Sequence, residues 1–326
     1  MIVERISDIS RLRGVRPGCV LTIGNFDGVH IGHQEILRTA KKAALENDTE
    51  LVVMTFEPHP AVVLQPARAP AVLTPPALKE RLLQQFGADR VVVVRGTAEL
   101  FGLSPEDFVR RFLVEQVRPA LVVEGEGFRF GAKRAGDIHM LERLGAENGF
   151  EVRILRPRQV ELSGGRSQKV SSTVIRDLLA SGSVSEAALA LGRPYRLVER
   201  VVPGRSKGRR LGFPTANMRL PQQLIPAQGV YACYAHLADA QEQICCAEAK
   251  TPAALSIGTA AGGEAPLVEA HLLDQQREDL YGKWLAVDFV ERIREQEKFA
   301  SEAELAAQIA RDCARIRKIL AGGKGR

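Results

Sequence analysis

Aromatic residues are scarce in this sequence, 5% of 326 residues with a single tryptophan. A surface that stacks nucleic-acid bases needs aromatics interleaved among its basic residues, so the shortage argues against a nucleic-acid partner. No apolar run reaches the roughly 18 residues a membrane span needs, and no membrane association is expected. Cysteines are few as well: five, an odd number, with no Cys-x-x-Cys pair and with Cys245 and Cys246 adjacent. That pattern fits neither a disulfide framework nor a zinc site. Met1 to Ser10 is polar and strand-like rather than a leader, so a cytoplasmic protein is expected. Internal repeats and low-complexity tracts are also missing.

What remains is ordinary globular composition, 45% hydrophobic and 26% charged. Single cores stop growing at roughly 250 to 300 residues, so two domains are expected. The formal net charge of +6 suits nucleic acid or phosphate-rich small molecules, and charge alone does not choose between them.

The first half alternates strand-like and helix-like segments. Val20 to Ile23 is an apolar run ending at Gly24, followed by a helical face of Ile36, Leu37, Ala40 and Ala44. Leu51 to Phe56, Arg90 to Val94, Leu121 to Val123 and Glu151 to Leu155 read as further strands. Between them, Thr74-Pro75-Pro76 opens a helix continued by Leu78, Leu82 and Phe86, and Ser104-Pro105-Glu106-Asp107 is a capping box before a helix over Phe108 to Val117. Such alternation predicts βαβ units and a parallel sheet. Two short helices around Leu178-Leu179 and Ala187-Ala188-Leu189, broken at Gly182, close this half. The boundary falls near Leu191, giving domains 1–190 and 191–326.

The second half has strand candidates at Tyr195 to Val202, Val230 to Leu237, Val268 to Leu273 and Trp284 to Val290, with Gly and Pro between them. A compact antiparallel barrel is expected. Ser301-Glu302-Ala303-Glu304 is a second capping box, opening a long helix to about Leu320, and the Gly-Gly-Lys-Gly-Arg tail is expected to fray.

The densest motif is Gly24-Asn25-Phe26-Asp27-Gly28-Val29-His30-Ile31-Gly32-His33, after a strand and into a helix. Gly24 and Gly28 let backbone approach a phosphate, and a helix N-terminus favours its charge. His30 and His33, three apart, can both face a triphosphate and stabilise charge on the α-phosphate and the leaving pyrophosphate. A metal site or a surface loop is the plainer reading of two such histidines, but no third ligand is near. Val170-Ser171-Ser172-Thr173-Val174-Ile175-Arg176 puts three hydroxyls and a cation at a helix start, suited to β- and γ-phosphates. The two motifs predict adenylyl transfer from ATP to an anionic acceptor without a covalent intermediate on the protein.

His30-Ile31-Gly32-His33 and Ser171-Ser172-Thr173 resemble the signatures of the Rossmann-like nucleotidyltransferases. The longer string Thr22 to His33, with Thr55-Phe56-Glu57-Pro58-His59-Pro60 and Phe128-Arg129-Phe130-Gly131, resembles the bacterial bifunctional riboflavin kinase/FMN adenylyltransferase family, the bacterial FAD synthetases. In the second half Gly208-Arg209-Arg210-Leu211-Gly212-Phe213-Pro214-Thr215-Ala216-Asn217 resembles the riboflavin kinase signature. Gly229-Val230-Tyr231, Leu280-Tyr281-Gly282-Lys283 and Arg294 to Phe299 follow in family order. The resemblance covers nearly the whole chain. It implies an α/β nucleotidyltransferase domain, then a small β-barrel with a C-terminal helix. It also implies ATP and Mg2+, and riboflavin, FMN and FAD as substrates and products. Gly24, Phe26, Asp27, Gly28, His30, His33, Ser171, Ser172, Thr173 and Arg176 would bind ATP for adenylylation, and Glu126, Phe128 and Arg294 would contact flavin.

For the kinase step, Glu269 is the natural base, because alternation in Val268-Glu269-Ala270-His271-Leu272 puts Glu269 and His271 on one face and the apolar residues on the other. By resemblance Glu269 holds the family's base position. Thr215 and Asn217 hold the positions that bind magnesium and ATP, and their oxygens suit that hard cation. Gly204, Lys207 and Gly208 are expected in a flexible loop at the phosphates, within a basic cluster of Arg205, Lys207, Arg209 and Arg210. A solvated surface is the plainer reading of that cluster.

The sequence departs from the family at three places. Gly127 stands where an acidic or amide residue usually precedes Phe128, with Glu124 and Glu126 nearby to compensate. Ser256-Ile257-Gly258-Thr259-Ala260-Ala261-Gly262-Gly263 has Ser in place of the family's Asn and lacks its Pro-Thr pair, so this stretch is expected to be small and flexible, and the flavin pocket altered. Ala61-Val62-Val63 is apolar where basic residues are frequent, and His59 reads equally as a nucleotide contact or a loop residue. Two other readings stay open: an adenylyltransferase with a degenerate kinase barrel, and a flavin-responsive protein contacting nucleic acid. The oligomeric state is open as well, with a homo-oligomer allowed.

Overall fold

In the computed structural model, residues 1–204, 207–246, 250–259, 266–273 and 280–322 are described. Arg205, Ala260 to Gly263 and the end of the C-terminal tail lie outside them, as does the side chain of Lys207. By compactness the chain divides into two units. One is Met1–Ala71, Lys79–Val160 and Ser167–Val170, and the other is Val72–Leu78, Glu161–Arg166 and Ser171–Arg326.

The first unit is built on six strands: β1 (Ile2–Ile6), β2 (Val20–Ile23), β3 (Leu51–Glu57), β4 (Arg90–Arg95), β5 (Leu121–Gly125) and β6 (Glu151–Leu155). All pair in parallel, in the order β1-β4-β3-β2-β5-β6. Runs such as Leu51-Val52-Val53-Met54 and Val91-Val92-Val93-Val94 are buried on both faces, as parallel strands covered by helices must be. From β2 the chain builds leftward through β3 and β4. With β5 it returns to the right of β2, so the sheet order reverses between β2 and β5. Ligands of open α/β sheets bind at such a reversal, beyond the carboxyl ends of the strands.

The helix Ile31–Glu46 follows β2 and buries Leu37, Ala40 and Ala44. Ser104 accepts the Asp107 N–H at 3.0 Å, as its capping box predicts. The helix expected after it differs: Pro105–Phe108 is α-helical, and Val109–Val117 winds wider, as a π-helix, ending at Arg118 with φ +51°. Its buried positions are Val109, Phe112, Leu113 and Val117.

Strands β7 (Gln159–Leu162) and β8 (Arg166–Lys169) form a small separate sheet. The second unit contains a closed barrel of β9 (Arg196–Val202), β10 (Ala216–Met218), β11 (Gly229–Ala238), β12 (Thr251–Thr259), β13 (Pro266–Leu272) and β14 (Trp284–Arg294), ordered β10-β13-β12-β11-β14-β9. Two of these strands, β10 and β12, were not anticipated. β10 is only three residues long, and β12 opens Thr-Pro-Ala-Ala with little β-branched signal. Tyr231 and Phe289 meet edge to face inside the barrel, both fully buried. The helix Glu302–Gly322, capped by Ser301 at the Glu304 N–H, packs Cys313, Ile316 and Leu320 on Val230, Ala232 and Ile293. Among the described residues no helix is long and apolar enough to cross a membrane.

Candidate functional site

In the first unit the motif Gly24 to His33 leaves the end of β2, at the point where the sheet order reverses. Gly24 N–H bonds Met54 C=O at 3.0 Å, which continues the β2–β3 ladder into the motif. The loop then turns through left-handed backbone at Phe26 (φ +47°), Gly28 (φ +89°) and Val29 (φ +40°). A β-branched residue in that region is strained, and such strain persists where packing over-determines it. Here Phe26 and Val29 are buried at 2% and 0% exposure. Asp27 is buried beside them.

His30 caps the helix Ile31–Glu46, its Nδ1 accepting the His33 N–H at 3.3 Å. A neutral His30 therefore carries its proton on Nε2. His33 stacks on His30 and meets the edge of Phe26. Its Nδ1 is buried with no hydrogen-bond partner among the described residues. Burial, then the charge of His30, hold His33 well below its ordinary value. His33 is thus a neutral imidazole at neutral pH, a polar group awaiting a partner rather than a cation. His59 caps its own short helix through Ala61 N–H, and its Nε2 meets the Asn25 amide at 3.2 Å, so it is tied to the motif.

Glu126 is exposed, and Phe128 stacks on Phe130. A side chain at Gly127 would come no nearer than 3.9 Å to Lys169 Nζ, so the position is open. Glu124 differs from the expectation that it stands in for a residue at 127. It turns back into the sheet, its Oε1 accepting Ile23 N–H at 2.5 Å and the Thr22 hydroxyl at 3.2 Å. Burial pushes its carboxyl up to about 8 against the pull of those two donors. The sequence holds no signal for this, because a Glu at a strand end reads as solvated.

Ser171, Ser172, Thr173 and Arg176 lie in the second unit, on the first two turns of the helix Ser172–Ala180. Ser171 is its cap, accepting Val174 N–H at 3.3 Å.

On the barrel, antiparallel pairing sets Asn217 of β10 opposite Glu269 of β13, and Glu269 opposite Ser256 of β12. Directly opposed residues share a face, so Asn217, Glu269 and Ser256 form a row. Val268, Ala270 and Leu272 are buried and Glu269 and His271 half-buried, as alternation predicts. Thr215, just before β10, donates its hydroxyl to Glu269 Oε1 at 3.4 Å. Burial raises the Glu269 carboxyl above its ordinary value, and the Thr215 bond opposes this.

The two glycines pack on these same residues. A Cβ at Gly204 would collide with Asn217 Nδ2, and one at Gly208 would collide with Phe213 O and lie 3.2 Å from Thr215 Oγ1. The expected flexible loop is corrected in part, since Lys207–Arg210 is a helical turn. Likewise Ser256 to Thr259 is not loose but the regular end of β12.

Gln296, which the sequence did not single out, donates to Ser256 Oγ and to Ile257 O, each at 2.9 Å. Arg294 is bound by Nε and Nη2 to Asp312 of the C-terminal helix at 3.0 and 2.8 Å and lies over the Phe299 ring. His271 meets Pro214 O at 2.8 Å.

Residues 13–174 match the model of the FAD synthetase family, and residues 191–320 that of the riboflavin kinase family. The bifunctional riboflavin kinase/FMN adenylyltransferase of Escherichia coli strain K12 is 39% identical over 297 residues, 90% of each chain. That of Pseudomonas fluorescens is 37% identical over 322 residues, 98% of each chain. A solved structure described as a macrolide-efflux protein from Streptococcus pneumoniae is 31% identical. It superposes with a TM-score of 0.83 over 97% of this chain and 99% of that one.

Proposed function

This chain belongs to the bifunctional riboflavin kinase/FMN adenylyltransferase family, and from that premise we propose how its residues divide the two reactions. It uses ATP to phosphorylate riboflavin to FMN, and a second ATP to adenylylate FMN to FAD with release of pyrophosphate. The observation that carries the kinase assignment is the convergence of Thr215 and Asn217, at β10, with Glu269 of β13.

In the first reaction Glu269 takes the proton from the terminal hydroxyl of riboflavin as that oxygen attacks the γ-phosphorus of ATP, and ADP leaves. Its raised carboxyl makes it a better base near neutrality than an exposed glutamate. Thr215 and Asn217 offer oxygen ligands beside it, and Gly204 and Gly208 let the preceding loop pack directly against Asn217 and Thr215, so the residues fit Mg2+. Mg2+ held there would neutralise charge on the phosphates. Gly204, Lys207 and Gly208 bind ATP.

In the second reaction a phosphate oxygen of FMN attacks the α-phosphorus of ATP and pyrophosphate leaves. The incoming group is already an anion, so the protein positions and stabilises rather than removing a proton. Backbone from Gly24 through Phe26, Asp27 and Gly28 lines the phosphates. The Nε2–H of His30 and the neutral ring of His33 supply hydrogen bonds to the charge that develops. Ser171, Ser172, Thr173 and Arg176 contact the ATP phosphates, and Glu126 and Phe128 the flavin. Arg294 serves flavin indirectly, by anchoring the segment after β14 through Asp312.

The test is chromatography of riboflavin, FMN and FAD after incubation with ATP and magnesium, starting in parallel from riboflavin and from FMN. FAD from both is expected. FAD from FMN alone would mean a barrel without kinase activity, and no FAD from either would overturn the reading.

A further inference from the structure

The row Asn217, Glu269, Ser256 has two distinct ends. At one, Gly204 packs on Asn217, and Thr215, with Gly208 against it, bonds Glu269. At the other stands Ser256, whose hydroxyl would be free to rotate were it not held. Gln296, in the segment after β14, holds it. The Gln296 Nε2 donates to Ser256 Oγ and Ile257 O at 2.9 Å, and to Gly229 O of β11 at 3.4 Å. One amide thus bridges three acceptors on two neighbouring strands, next to the residue directly opposite Glu269. Two of those acceptors are backbone carbonyls, which only a donor can satisfy. A carboxylate in the same place would set oxygen against oxygen, although it has the same shape.

We propose that Gln296 is a positioning residue of the kinase site: it ties the end of β12 at Ser256 and Ile257 to Gly229 of β11, and through the pairing of Ser256 with Glu269 it fixes where Glu269 meets the acceptor hydroxyl. Gln296 is itself exposed, so its bonds add little to global stability. Its effect falls on geometry at the base, where a displacement of about 1 Å can cost about a hundredfold in rate. It acts on the base and the acceptor, not on the end of the row that holds Asn217. The inference rests on the kinase reading above.

The test uses the full chain with Gln296→Glu, Gln296→Ala and Ser256→Ala. For each, kcat and the KM values for riboflavin and ATP are measured in FMN formation, with FAD formation from FMN as a control on folding. Gln296→Glu is expected to lower kcat by about tenfold or more and leave KM for ATP unchanged, with FAD formation from FMN intact. Gln296→Ala and Ser256→Ala should show smaller losses of the same kind. Adding Ser256→Asn to Gln296→Glu should recover part of the rate, because the new amide donates to the carboxylate.

The role of Gln296 is overturned if Gln296→Glu keeps kcat within about twofold, or if its loss appears equally in KM for ATP or in FAD formation from FMN. Wild-type protein that makes no FMN would instead remove the kinase reading, and this inference with it.

Discussion

The imidazole rings of His30 and His33 stack with centroids 3.6 Å apart and planes 14° from parallel. Two cations at that spacing repel strongly, and His33 is held neutral by burial and by that neighbour. Replacing His33 with alanine is expected to lower FMN adenylylation by about 10²- to 10³-fold, the usual cost of losing one preorganised donor. Riboflavin phosphorylation by the same protein should be unchanged. Equal losses in both reactions would show that the histidine supports folding rather than catalysis.

Glu124 makes the opposite linkage to an ordinary paired carboxylate. Its folded value is raised from 4.5 to about 8, so between those limits the native state binds the extra proton and the unfolded state does not. Stability from this group is fully present below pH 4.5 and is lost as pH rises to about 8. Glu124→Gln keeps an oxygen acceptor for Ile23 N–H and does not ionise. Its melting temperature relative to wild type should therefore climb between pH 5 and pH 8.5. A difference that stays flat over that range would count against a buried, raised carboxyl.

Glu269→Gln should lower riboflavin phosphorylation by about 10²- to 10⁴-fold, the range for a general base. FAD formation from FMN should continue. Because the base must be ionised, the wild-type rate falls as pH drops through its folded value, which burial raises above 4.5. The acid limb of kcat/KM, which reports the free enzyme, should therefore sit above that of an exposed glutamate, and a limb at or below 4.5 would contradict the burial argument.

Arg294 and Asp312 form a largely buried pair, with side chains 15% and 7% exposed. Arg294→Ala leaves the buried Asp312 carboxylate without its cation and held by the Gln308 amide at 2.8 Å, and removing one member of a completely buried pair costs about 3 to 5 kcal/mol. Thermal or urea unfolding should show a loss near the lower end of that range. A variant of wild-type stability that only raises KM for flavin would instead make Arg294 a direct flavin contact.

Much of this architecture was legible in the residues. Strand runs such as Leu51 to Phe56 and the capping boxes at Ser104 and Ser301 are local signals, because propensity and capping act over a few neighbours. The parallel sheet, the barrel and the long last helix followed from them. β10 and β12 escaped, since a three-residue strand and an alanine-rich one carry little signal of their own and are strands because their neighbours pair with them.

Residue type and spacing alone make the chemistry legible: they carry the motif Gly24 to His33, the Ser171 to Arg176 string, and the order Thr215, Asn217, Glu269. How those groups behave depends on what the fold places around them. Ser256 and Asn217 flank Glu269 through strand pairing, the latter from a strand far back in the chain, Gln296 reaches Ser256 from 40 residues away, and His33 and Glu124 take their protonation from burial. Register and desolvation are properties of the folded neighbourhood, and no local run of residues encodes them.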